Sequence, residues 1–141
     1  MILPDVNVLV HGFRSDSSDH KRCRSWLAGI VNGDARYGMA PQVLSGLLRI
    51  TTHPKVFIKP SSMEEVLRFC NVLLDQPHCV IIQPGDRHWE IFTRLCTEAD
   101  VRGNLVPDAW LAALAIESGC EWITLDRDYA RFPGLRWSVP E

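Results

Sequence analysis

Short apolar runs alternate with longer segments of helical period along this chain, and that alternation limits most narrowly what it can fold into. The pattern builds a central, mostly parallel sheet of four to five strands with helices on both faces, a three-layer α/β/α architecture. Residues 1–3 read as a short buried strand, from whose carboxyl end Asp5-Val6-Asn7-Val8-Leu9-Val10 leads away. Cys79-Val80-Ile81-Ile82 and Trp122-Ile123-Thr124-Leu125 are two more buried-strand candidates, and residues 135–139 an edge strand stopped by Pro140. Helices fit between them. Residues 18–31 place Cys23, Trp26, Leu27 and Ile30 on one face, with Asn32-Gly33 as a stop. A helix starting at Pro41 buries Val43, Leu44, Leu47 and Leu48. Residues 62–74 open with a Ser62/Glu65 capping box, and a helix from Asp86 has Trp89, Phe92, Leu95, Cys96 and Ala99 as its apolar face. Residues 107–118 form a further helix ended by Gly119.

At 141 residues and 46% apolar, the chain is long enough for one sizeable core and short for two, so a single domain over 1–141 is expected. Its five cysteines are scattered, without a Cys-x-x-Cys pair, and read as buried reduced thiols of a cytoplasmic protein. The start of the chain has no basic segment and meets Asp5 before a signal-peptide core can form, and no apolar stretch approaches membrane-spanning length. A formal charge of -2 excludes a simple basic nucleic-acid binder, so nucleic-acid contact must come from local patches.

Functional groups of open α/β sheets gather at the carboxyl edge of the strands. Three aspartates fall there: Asp5 after the first strand, Asp126 after the strand at 122–125, and Asp108 in the first turn of the helix preceding that strand. Each alone is explained as a helix cap that complements the dipole. Together they pose a charge problem, because close carboxylates repel by roughly 4 kcal/mol per pair at an effective dielectric near 20. A cation must offset that repulsion. Oxygen donors without thiolate or imidazole partners select hard cations, Mg²⁺ or Mn²⁺ rather than zinc. Such an ion stabilises charge on a phosphodiester and lowers the pKa of bound water, so the chemistry implied is phosphodiester hydrolysis.

Leu3-Pro4-Asp5-Val6-Asn7-Val8-Leu9, Arg102-Gly103-Asn104-Leu105-Val106-Pro107-Asp108-Ala109 and Thr124-Leu125-Asp126-Arg127-Asp128-Tyr129-Ala130-Arg131-Phe132 resemble, in order and spacing, the three acidic motifs of VapC-type PIN-domain toxins. The similarity spans essentially the whole chain. It implies a three-layer α/β/α fold and a Mg²⁺- or Mn²⁺-dependent endoribonuclease acting on structured RNA. It further implies a homodimer, neutralised by a VapB-type antitoxin of a type II toxin–antitoxin pair. On this resemblance Asp5 and Asp108 are metal ligands and Asp126 completes the acidic site. Asn7 and Thr124 match polar positions that support the first and last aspartates, and Asp128 is either a further acid or the cap of a short helix.

One departure stands out. The family carries a glutamate in the helix after its second strand, where this chain reads Val43-Leu44-Ser45-Gly46-Leu47. Gly46 brings no carboxylate, which leaves open one-metal catalysis, another acid moving in, or reduced activity. Ser45 either holds a water on the ion or bonds the preceding turn of its own helix. For RNA binding, Arg14, Lys21, Arg22, Arg49, Lys55 and Lys59 are the cations near the strand edge, set against a reading as solvated helix faces. Arg102-Gly103-Asn104 is a more specific candidate, with polar groups flanking a glycine that permits close approach. The tryptophans are assigned to the core, and the five histidines, lacking metal-ligand spacing, to surface or turns.

No phosphate-binding Gly-x-x-x-x-Gly-Lys loop, dinucleotide fingerprint or Gly-x-Ser-x-Gly elbow is present. An aspartyl-nucleophile phosphatase wants a second aspartate at position 7, where Asn7 stands. The sequence thus reads as a metal-dependent endoribonuclease. Its rival is a binding module of the same fold that lost catalysis through Gly46.

Overall fold

The computed structural model describes residues 1–141 as an all-parallel, five-stranded sheet between layers of helices. The strands are β1 (Ile2–Pro4), β2 (Tyr37–Met39), β3 (Cys79–Ile81), β4 (Glu121–Ile123) and β5 (Trp137–Ser138). The helices are α1 (Val6–Phe13), α2 (His20–Val31), α3 (Pro41–Thr51), α4 (Met63–Leu74), α5 (His88–Glu98) and α6 (Leu105–Ser118), with a short 3₁₀ turn at Arg127–Arg131. Spatial order is β3-β2-β1-β4-β5, and β1 aligns with β4 through Ile2↔Glu121, Leu3↔Trp122 and Pro4↔Ile123.

This order fixes where a site can form. The chain builds outward from β1 through β2 to β3, then returns to the other side of β1 for β4 and β5. The direction of winding therefore reverses between β1 and β4, and the crevice of such a sheet opens outside the carboxyl ends of the strands at that point. Asp5 directly follows β1, and Asp126 lies just beyond β4.

The central strands are apolar because helices cover both of their faces. Leu3, Met39 and Trp122 are fully buried, and Tyr37 closes the core by donating its hydroxyl to the Leu73 carbonyl at 2.5 Å. α1 packs against α2 and α3, α3 against α4, and α5 against α6. The expected capping box is present: Ser62 Oγ accepts from the Glu65 amide at 3.2 Å and donates to the Glu65 carboxylate at 3.0 Å. α6 ends at Gly119, whose φ of +70° is the left-handed conformation expected there.

Several expectations change. Residues 6–13, to which the sequence pattern assigns no element, form a helix capped by Asp5, whose side chain accepts the Val6 amide. β3 is an outer strand of the sheet, opposite β5, rather than a buried one, and Ile81 is 48% exposed. On α5 Phe92 and Leu95 are buried as expected, but in the first turn the buried side chain is His88, and Trp89 is 65% exposed. The buried imidazole is satisfied by a 2.9 Å bond between Nε2 and the Trp110 carbonyl, and it packs edge-on to the Trp110 ring. No helix is long and apolar enough to cross a membrane.

Candidate active site

The crevice at the winding reversal has a volume of about 430 Å³, and Asp5, Asp108 and Asp126 all line it. Each side chain is delivered by the start of a helix or helical turn: Asp5 caps α1, Asp126 caps the 3₁₀ turn by accepting the Asp128 amide at 2.9 Å, and Asp108 lies in the first turn of α6. Capping and convergence are thus the same geometry. The positive ends of those segments meet where the negative charge is gathered, which offsets part of the repulsion.

Asp5 is 5% exposed, and its carboxylate is held by three donors. Oδ1 accepts the Val6 amide at 2.6 Å, while Oδ2 accepts the Thr124 hydroxyl at 2.7 Å and the Asn7 amide nitrogen at 3.2 Å. Fully buried Thr124 is the hub, because its Oγ1 also accepts from Asn7 Nδ2 at 3.1 Å and from the Asp126 amide at 3.0 Å. Asn7 closes the circuit through Oδ1, which accepts the Leu125 amide at 3.1 Å. The network pins the end of β1 to the end of β4.

Burial pushes the Asp5 carboxyl up to about 6, against the opposing pull of the Thr124 and Val6 hydrogen bonds, and the nearby Asp108 and Asp126 charges add to the rise. Asp108 is raised as well, chiefly by burial and further by Asp126, although the Tyr129 hydroxyl donates to its Oδ1 at 3.3 Å. Burial, with the surrounding carboxylates, drives the Tyr129 phenol far above its ordinary range, so it stays protonated and a donor. No three His, Cys, Asp or Glu side chains are already drawn together as a metal cage. The three aspartates line an open crevice in which their charges are only partly offset.

The other expected site residues divide. Asn7 and Arg49 line the crevice with the aspartates. Asp128 is exposed and does not cap the turn as the second reading expected: Asp126 is the cap and Asp128 supplies the backbone amide it accepts, while the Asp128 charge raises Asp108. Ser45 lies outside the crevice, on a groove between α3 and α4. Arg102 and Asn104 are exposed in the loop before α6 and do not line the crevice. Arg14 is only 10% exposed and wholly engaged: it pairs with Asp16 at 2.6 Å, donates to the Lys59 carbonyl and Ser61 Oγ, and lies 4.0 Å over the Phe57 ring. Its cation fastens the segment after α3 instead of facing outward. Arg22 similarly donates to the Pro140 carbonyl.

Two crevice residues escaped the sequence reading. Tyr129 sits on the 3₁₀ turn, three residues past Asp126, and no local pattern shows that its hydroxyl reaches Asp108. His11, on α1, lines the crevice with Arg49. Its signal was available only once α1 was known to be a helix.

An α/β/α fold with an acidic crevice at the β1/β4 carboxyl edge defines a class. Residues 2–135 match the PIN domain family. VapC ribonuclease Mb2897 of Mycobacterium bovis is 39% identical over 140 residues, covering 99% of this chain and 95% of that protein. Ribonuclease VapC25 of Mycobacterium tuberculosis is 38% identical over 140 residues, covering 99% of each. Among solved structures, VapBC2 of Rickettsia felis, bound to a DNA fragment from its promoter, shares the fold with a TM-score of 0.72 at 18% identity over 100% of both chains. M. tuberculosis VapC20, described as a Sarcin-Ricin loop cleaving toxin, does so with a TM-score of 0.69 at 13% identity over 96% of this chain and 99% of that one. The chain belongs to the PIN-domain family and, within it, to the VapC ribonucleases.

Proposed function

We propose that this chain is an endoribonuclease toxin that hydrolyses phosphodiester bonds in structured RNA with Mg²⁺ or Mn²⁺ held by Asp5, Asp108 and Asp126. The observation that carries the proposal is the convergence of these three carboxylates on one crevice, Asp5 coming from a stretch of chain more than a hundred residues from Asp108 and Asp126. The donor set fits a hard cation. All three are oxygen ligands, and of the roughly four acceptor positions on the Asp5 carboxylate three are filled by Val6, Thr124 and Asn7, leaving one on Oδ1. The raised Asp5 and Asp108 carboxyls are the mark of acids waiting for positive charge. When bound, the ion would supply charge stabilisation and an acidified water.

The protein's own residues do the positioning. Thr124 and Asn7 hold the Asp5 carboxylate so that it does not turn away, and Tyr129 fixes one oxygen of Asp108. Arg49 on the crevice wall offers a cation to the RNA backbone. Curated relatives named as ribonucleases along their full length support the enzyme reading, and the site retains all three of its aspartates despite Gly46. The resemblance also supports a VapB-type antitoxin that covers the crevice with a basic side chain on the carboxylates. It supports a homodimer, for which the exposed apolar Leu67 and Ile81 beside the α3/α4 groove offer contact area. The cytoplasm is the proposed site of action, in keeping with five unpaired cysteines.

The test is direct. Purified protein with Mg²⁺ or Mn²⁺ and a mixed cellular RNA pool should give discrete fragments, and these should vanish in chelator and in an Asp5→Asn variant. Fragments that persist in Asp5→Asn would come from another nuclease and remove the proposal.

A further inference from the structure

The crevice has a wall that the acidic chemistry leaves unused. α3 crosses α1 closely at Gly46, where an added Cβ would stand 3.0 Å from Val6 Cγ2. Arg49 lies three residues beyond Gly46 on α3, His11 lies five residues beyond Val6 on α1, and the two side chains line the crevice together. Where the resemblance expects a glutamate on α3, this wall carries no acid and presents a guanidinium and an imidazole.

The imidazole is held in place. Its Nδ1 is hydrogen-bonded with Ser17 Oγ, the His11 carbonyl accepts from His20 Nδ1 at 2.9 Å, and Nε2 has no partner within the chain. A phosphate entering a crevice with three carboxylates needs donors to offset the repulsion. We propose, building on the ribonuclease reading, that His11 is an RNA phosphate-binding residue. In this role the Ser17 hydroxyl donates to Nδ1, which leaves the ring N–H on Nε2 to donate to a non-bridging phosphate oxygen beside the Arg49 guanidinium.

Two substitutions separate this role from a structural one. Asparagine keeps a polar atom near the place of Nδ1, and so the Ser17 contact, but offers nothing at Nε2. Glutamine does the reverse. With the full chain in chelator and a fluorescein-labelled RNA hairpin, fluorescence anisotropy should show binding weakened about tenfold in His11→Asn and by less than about threefold in His11→Gln. Unchanged binding in His11→Asn, or stronger binding by His11→Asn than by His11→Gln, would overturn the proposal. So would a wild-type chain that does not bind the hairpin.

The ribonuclease reading is judged separately on the wild type, by Mn²⁺-dependent cleavage and by the rise in melting temperature with Mn²⁺; of the two, His11→Asn should leave only the rise in melting temperature intact. A wild type that does not cleave, yet binds the hairpin in a His11-dependent way, would overturn the nuclease and support the phosphate contact.

Discussion

Thr124 carries more of the site than any single aspartate, although it bears no charge. Its hydroxyl donates to Asp5 and accepts from Asn7 and from the Asp126 backbone, so its removal strands a buried carboxylate and two donors at once. Thr124→Val should destabilise the fold by about 2–3 kcal/mol, read as a lower denaturation midpoint, whereas Thr124→Ser, which keeps the hydroxyl, should cost less than about 1.5 kcal/mol. Equal losses for the two would show that the methyl group matters and the network does not. At this scale the sequence was informative for residues that begin an element. Asp5, Asp108 and Asp126 were legible because an aspartate after a strand or in a first helical turn has a position as well as a charge. Tyr129 and His11 were not, because what makes them part of the crevice is how separate elements meet. Arg14 shows the converse: a cation near the strand edge reads as free until its partners, Asp16, Ser61 and the Phe57 ring, are seen around it.

Element by element, the long periodic helices stood out and the short segments did not. α4 was clear from its capping box and its stripe of Val66, Phe69, Cys70 and Leu73 at helical spacing. β2, only Tyr37-Gly38-Met39, is too short to show alternation. α1 was hidden because valines at 6, 8 and 10 favour strand by propensity, and what makes the segment helical is the Asp5 cap together with packing on α2 and α3. Gly46 is the clearest case of a residue whose meaning changes at this scale. In the sequence it marks a missing acid, and in the fold it is the place where α3 meets Val6 of α1. A larger side chain must displace Val6, which is β-branched and stiff in a helix. Gly46→Val should therefore cost about 1–3 kcal/mol, and a Val6→Ala background should recover much of that loss. Measured additivity of the two substitutions would mean that the crossing is not tight there.

For the whole molecule, the alternating pattern was enough to foresee a parallel sheet between helix layers, and the reversal of winding between β1 and β4 then dictated where distant residues would meet. The order of the strands was not legible, since three-residue strands carry no register of their own; the alignment of Leu3 with Trp122 comes from packing on both faces of the sheet. That alignment sets the carboxyl ends of β1 and β4 side by side and gathers negative charge in one crevice, at an electrostatic cost to the fold. A divalent ion that binds only the folded chain should return that energy as stability, by RT ln(1 + [L]/Kd). The measurement that bears most directly on this account is the melting temperature with and without millimolar Mn²⁺, in the wild type and in Asp108→Asn. A clear rise in the wild type that is largely lost in the variant is the predicted result; no rise in the wild type, or the same rise in both proteins, would contradict a cation shared by the three aspartates.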